Sequence, residues 1–183
     1  MGNKVSPNLL QTAATVKKFS HFNESDIKKW SAEFNASYPS GYMTEKDLQI
    51  IFKKLFPFGE CNRFTLILFR TINISGTKTI DFNELLIAHS ILRKGSIFEK
   101  LRWIFRLYDC DSDGVVGKDE MIKVVKAFLD MIGASFDVDV DVGRFVAGIF
   151  DELENKSGFL TFDDFKILAG KKAEVLQIFE MFD

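Results

Sequence analysis

Residues 109–120 read DCDSDGVVGKDE. Carboxylates stand at the first, third and fifth positions, Asp109, Asp111 and Asp113. Gly114 follows at the sixth, where a chain that doubles back needs a residue tolerant of positive φ. Val115 offers a carbonyl at the seventh, Gly117 leaves room for a water at the ninth, and Glu120 closes the twelfth with a side chain long enough to bind through both oxygens. A hard cation takes about six to eight oxygen ligands, and this spacing wraps one chain around it. The stretch therefore reads as the loop of an EF-hand, with Asp109, Asp111, Asp113, Val115 and Glu120 as the predicted calcium ligands. Four carboxylates in one loop predict affinity in the sensor range, about 10⁻⁷ to 10⁻⁵ M, and weaker binding if no partner loop braces it.

The flanks carry helical periodicity. Ile97, Phe98, Leu101, Ile104, Phe105 and Tyr108 lead into the loop at spacings that place them on one face. Met121, Val124, Val125, Phe128 and Ile132 do the same on leaving it. Ser96 with Glu99 has the pattern of a capping box, and Asn23 with Asp26 and Thr44 with Asp47 resemble it.

One EF-hand cannot cover its own apolar face, so partners are expected, and three further loops occur at suitable intervals. Residues 36–47, ASYPSGYMTEKD, keep Gly41 at the sixth position but place Ala36, Tyr38 and Pro39 in the ligand-bearing front, so no metal is predicted there. Residues 73–84, NISGTKTIDFNE, offer the neutral oxygens of Asn73, Ser75 and Thr77 and a terminal Glu84. Lys78, however, stands where glycine belongs; it resists positive φ and brings a cation beside the site, which argues against calcium. Residues 153–164 contain Gly158 at the sixth position and Asp164 at the twelfth. A start at the Phe150–Asp151 pair would instead bring the glycine two residues late. Either register has an impaired front, and Asp164 is one methylene shorter than glutamate. Met43, Ile80, Val116 and Leu160 share the eighth position of the four loops, and such apolar residues suit a short pairing strand. The predicted fold is all-α: four EF-hand motifs in two paired lobes, residues 1–93 and 97–183, joined at the break around residues 93–96. Residues 133–143, with the alternating FDVDVDV, read as a connection between helices.

Composition narrows the function. The 183 residues include twenty phenylalanines and only three prolines, so there is much aromatic area to bury or to offer a partner. A net charge of −2 nominates no nucleic acid. No apolar run approaches a membrane span, and Cys61 and Cys110 form no disulfide framework, which fits a reducing, cytoplasmic setting. His21 and His89 stand apart from any nucleophile elbow, phosphate loop or zinc spacing, so no enzyme is predicted. The terminus MGNKVS matches the N-myristoylation pattern at Gly2 with Ser6. One acyl chain anchors only marginally, so reversible membrane association is expected, helped by Lys4, Lys17 and Lys18. Val175, Ile178, Phe179 and Phe182 give the C-terminus an apolar face able to fill a groove in place of a partner.

Over nearly its whole length the chain resembles the neuronal calcium sensor family, the group of recoverin, frequenin and visinin-like proteins. The resemblance is carried by MGNKVS, by Trp30 and Phe34 before YPSG, by LFRT…IDFNELLIAHS around the second loop, and by KLRWIFRLYDCDSDG at the third. It implies two EF-hand lobes, myristoylation at Gly2 and an apolar groove in the N-terminal half that receives an amphipathic target helix. By motif matching that groove falls to Trp30, Phe34, Phe52, Leu55, Phe82, Leu85 and Leu86. The chain departs from the family's usual pattern at Tyr38, where cysteine is customary, and at the second and fourth loops. Calcineurin B and calaxin-like proteins are near alternatives. Two functions follow: a calcium sensor that presents its groove in response to the ion, or a constitutive structural subunit in which the ion only stabilises the fold.

Overall fold

The computed structural model describes residues 21–133, 141–153 and 157–171. Gly2, Ser6, the N-terminal lysines, most of the FDVDVDV stretch and the C-terminal apolar face lie outside the described residues. The described chain is all-α apart from four two-residue strands. Its elements are α1 (Glu24–Ser37), β1 (Tyr42–Met43), α2 (Glu45–Leu55), α3 (Asn62–Ile72), β2 (Ile80–Asp81), α4 (Phe82–Lys94), α5 (Ile97–Tyr108), β3 (Val116–Gly117), α6 (Lys118–Ile132), α7 (Val142–Asp151), β4 (Phe159–Leu160) and α8 (Phe162–Lys171).

Local chemistry sets the helix starts. Asn23 caps α1, its side-chain oxygen accepting from the Asp26 N–H at 2.9 Å. Thr44–Asp47, Asp81–Glu84 and Ser96–Glu99 form reciprocal capping boxes at α2, α4 and α5. Each such cap satisfies orphan amide groups and contributes about 1 kcal/mol. The strands pair antiparallel, β1 with β2 and β3 with β4. Met43 faces Ile80 and Val116 faces Leu160, so the four apolar eighth-position residues meet in pairs, all buried.

The first motif differs from the others. Helix α1 runs through Ser37, so helix occupies what would be the opening of the loop, and Tyr38 ends it by donating its N–H to the Phe34 carbonyl. In the third motif α5 stops at Tyr108, and Asp109 opens the loop.

Helix α3 is the hub of the packing, meeting α2, α4, α5 and α6. Phe64, Ile67, Leu68, Phe69 and Ile72 are buried along it. Thr65 and Thr71 are buried too, and their hydroxyls donate to the carbonyls of Cys61 and Ile67, each at 2.9 Å, so no polar group is stranded. One continuous apolar core runs from Phe34 to Ala169 and includes both halves of the chain.

Candidate metal centre

In the third loop the side chains of Asp109, Asp111 and Glu120 converge, with one oxygen from each carboxylate within 4.8 Å of the others. Like charges this close repel, and backbone donors offset part of that repulsion. Asp109 Oδ1 accepts from the Asp113 N–H and Oδ2 from the Gly114 N–H, both at 3.1 Å. Asp111 Oδ1 accepts from the Asp113 N–H at 3.2 Å. Glu120 Oε1 accepts from the N–H groups of Cys110 at 2.7 Å and Asp111 at 3.3 Å, and Oε2 from Gly117 at 2.9 Å. Glutamate at the twelfth position thus spans the loop and touches its second, third and ninth residues. Ser112 and Gly114 take positive φ, 64° and 90°, which turns these amides inward. Asp113 lies outside the converging group; its Oδ1 accepts from the Val115 N–H at 3.0 Å. All-oxygen, carboxylate-rich donors suit a hard divalent cation such as calcium rather than a thiophilic metal, so the residues present fit the ion.

The second loop has the same shape with different chemistry. Positive φ falls at its fourth and sixth positions again, Gly76 at 68° and Lys78 at 64°. The resistance expected of Lys78 is overcome: the residue adopts the left-handed region, held there by the loop on either side, at a cost of about 1–2 kcal/mol. Glu84 Oε1 accepts from the Ser75 N–H at 2.8 Å and Oε2 from the Asp81 N–H at 3.1 Å. The front oxygens bond to one another. Ser75 Oγ donates to Asn73 Oδ1 at 3.2 Å and lies 3.0 Å from Thr77 Oγ1, which donates to the Thr79 carbonyl at 3.0 Å.

Aspartate at the twelfth position acts locally. Asp47 Oδ2 accepts from the Thr44 N–H at 2.8 Å and the Thr44 hydroxyl at 2.6 Å, and Asp164 Oδ2 accepts the same pair from Thr161 at 3.0 and 2.6 Å. The Thr44 hydroxyl, then its backbone N–H, hold the Asp47 carboxyl below its usual range. Gly158 has φ 79° and Leu160 pairs with Val116, which fits the register that starts at Leu153.

A groove of about 380 Å³ opens between α1 and α4, lined by Trp30, Glu33, Phe34 and Ser37 from one helix and Phe82, Leu85, Leu86 and His89 from the other. Both sets follow an i, i+3, i+4, i+7 spacing, which brings one face of each helix to the opening. Five of the seven residues expected there are together: Trp30, Phe34, Phe82, Leu85 and Leu86. Phe52 and Leu55 lie on α2, away from it. Phe52 is buried with its ring near Phe56 and Phe64, and Leu55 is exposed. His89, which sequence reading left isolated, stacks on Phe22 at 5.3 Å and meets the Trp30 edge at 5.5 Å. Burial, then Arg93, push its imidazole pKa down, favouring the neutral ring.

Among the described residues no helix is long and apolar enough to cross a membrane. No protein-family model matches the chain. Neuronal calcium sensor 1 of Lymnaea stagnalis is 32% identical over 178 residues, spanning 95% of this chain and 92% of that protein. With that identity along almost the full length of both, and with EF-type loops paired through their eighth residues, the chain belongs to the neuronal calcium sensor family of EF-hand proteins.

Proposed function

We propose that the protein is a non-enzymatic calcium sensor whose working site is the third loop. The observation that carries this reading is the convergence of the Asp109, Asp111 and Glu120 carboxylates. Calcium, when bound, supplies the positive charge that joins carboxylates from the two ends of the loop. Asp109 directly follows α5, and Glu120 lies in the first turn of α6. Their mutual position therefore sets the angle between the two helices, and a change in that angle alters the apolar surface available to a partner.

The partner in this reading is an amphipathic helix seated in the groove between α1 and α4, with Trp30, Phe34, Phe82, Leu85 and Leu86 as its apolar floor and walls. Gly2 carries a myristoyl group that supports reversible membrane association from the cytoplasm. A second reading draws support from the second loop, which closes on its own hydrogen bonds and leaves the N-terminal half held without reference to an ion. There the protein is a constitutive subunit clamped to a helix of a larger assembly.

The two readings separate in one experiment. Affinity for a synthetic amphipathic helix is measured in calcium and in chelator, with Leu85→Glu as the groove control. The sensor predicts about tenfold or greater tightening in calcium. Equal affinity favours the structural subunit. For the acyl group, the fraction of myristoylated protein pelleting with anionic vesicles rises or falls with calcium if a switch operates, and stays constant if the chain is only an anchor.

A further inference from the structure

Helix α3 grips the third motif at both of its ends. Just before α3 begins, the Glu60 N–H donates to the Asp130 carbonyl in the last turns of α6 at 2.9 Å. At Gly59 an added Cβ would stand 1.7 Å from the Met131 carbonyl oxygen, so only glycine permits this backbone contact. Arg63 faces Asp130 at 3.6 Å, and the rings of Phe64 and Phe128 meet at 5.7 Å. At the far end of α3, Arg70 reaches the place where the third loop begins. Its guanidinium donates to the carbonyls of Leu107 at 3.4 Å and Asp109 at 3.3 Å, and to that of Cys110.

These carbonyls lie at the C-terminal end of α5, where unsatisfied oxygens and the helix dipole favour a cation. A planar guanidinium presents donors from several nitrogens in a fixed fork, whereas a lysine ammonium must reach them all from a single point. Arg70 also stands three residues before Asn73, the first residue of the second loop. Arg106 belongs to the same cluster: burial and then Arg70 lower its pKa, while Glu84 of the second loop and Asp109 of the third raise it.

We propose that Arg70 is a positioning residue for the third loop, fixing from the N-terminal half the backbone on which the calcium site is built and thereby coupling that site to the N-terminal half through α3. The proposal rests on the third loop being the calcium site. A loop whose first residues are already held needs less ordering when it closes on an ion. Movement of α6 is passed to residues 59 and 60, and so to the helix that borders both α2 and α4.

The test is calcium titration followed by amide resonances in the full chain, with Gly114 reporting the third loop and Glu60 the distant grip. In the wild type both resonances move with one midpoint. In Arg70→Lys, which keeps the charge and loses the fork, the Gly114 midpoint rises about tenfold. If Arg70→Lys does not fold, Arg70→Gln replaces it with the same expectation. A Glu60 resonance that stays still while Gly114 titrates overturns the proposal, and so does an unchanged Gly114 midpoint in the variant. A wild-type Gly114 that never moves removes the calcium site itself, a different failure.

Discussion

The second and third loops close in the same way and are charged in opposite styles. Both take positive φ at their fourth and sixth residues, and in both a twelfth-position glutamate reaches across to the front of the loop. The second puts glycine at the fourth residue and lysine at the sixth; the third puts serine at the fourth and glycine at the sixth. Three aspartates line the front of one, while Asn73, Ser75 and Thr77 line the other and satisfy one another. The shape of an EF-hand loop is thus separable from its charge. Hydrogen bonds from the protein's own hydroxyls close the neutral loop, whereas the acidic loop concentrates repulsion that a divalent cation would relieve. The first and fourth loops add a second contrast. Asp47 and Asp164 each accept from the residue three positions earlier, at the start of their own helix. Glu84 and Glu120 make that capping contact with one oxygen and, being one methylene longer, also reach across their loops with the other.

The largest effect is expected from Glu120→Gln. Removing one partner of a tight charge cluster costs several kcal/mol, so third-loop calcium affinity is expected to fall by about 100-fold or more, read by calorimetry. The converse change gives charge to the neutral loop. The combined variant Asn73→Asp, Thr77→Asp and Lys78→Gly is expected to raise calcium stoichiometry from one to two, with Glu84 already in place. If stoichiometry stays at one, shape and charge are not the only differences. Backbone effects are smaller. Gly76→Ala forces a side chain into positive φ where no atom lies within 4 Å of its Cβ, so the expected loss is purely conformational, about 1 kcal/mol, or a few degrees in melting temperature. Lys78→Gly alone is expected to raise the melting temperature by a similar or smaller amount.

The smallest effect concerns acid. Hydrogen bonds from Thr44 and from Ser96 lower the pKa values of Asp47 and Glu99 below their ordinary 3.8 and 4.5. The folded chain therefore binds fewer protons than the unfolded chain in that window, and stability rises with pH through it. The contribution is present above the ordinary values and is lost as pH falls through the lowered ones. Asp47→Asn and Glu99→Gln should each flatten the stability profile slightly in that range, in denaturant titrations at stepped pH.

Much of this was legible in the residues because it depends on local spacing. The carboxylate spacing of residues 109–120, the capping pairs and the apolar eighth positions are short-range patterns, and the strand partners follow from pairing loops two by two. The groove was not legible in local spacing alone. Resemblance to the family, not spacing, nominated its residues: Trp30, Phe34, Phe82, Leu85 and Leu86 line the opening, whereas α2 buries Phe52 in the core and leaves Leu55 exposed. His89 joins the groove at the seven-residue spacing from Phe82, a signal that was present but had no apolar character to draw notice. Arg70 was not legible, because its contacts span about forty residues of sequence and end on backbone carbonyls, which no side-chain pattern records. Lys78 shows the opposite limit: local preference argued against positive φ, and the loop around it prevailed.

The most direct test of the account is calcium calorimetry on the unmodified protein, because the second and third loops share a shape and differ in charge. The account predicts one calcium per chain at micromolar affinity or somewhat tighter or weaker, within about tenfold. Two or more ions per chain would contradict the single-site account, and no heat of binding at millimolar calcium would mean that the aspartate-lined loop is not a calcium site.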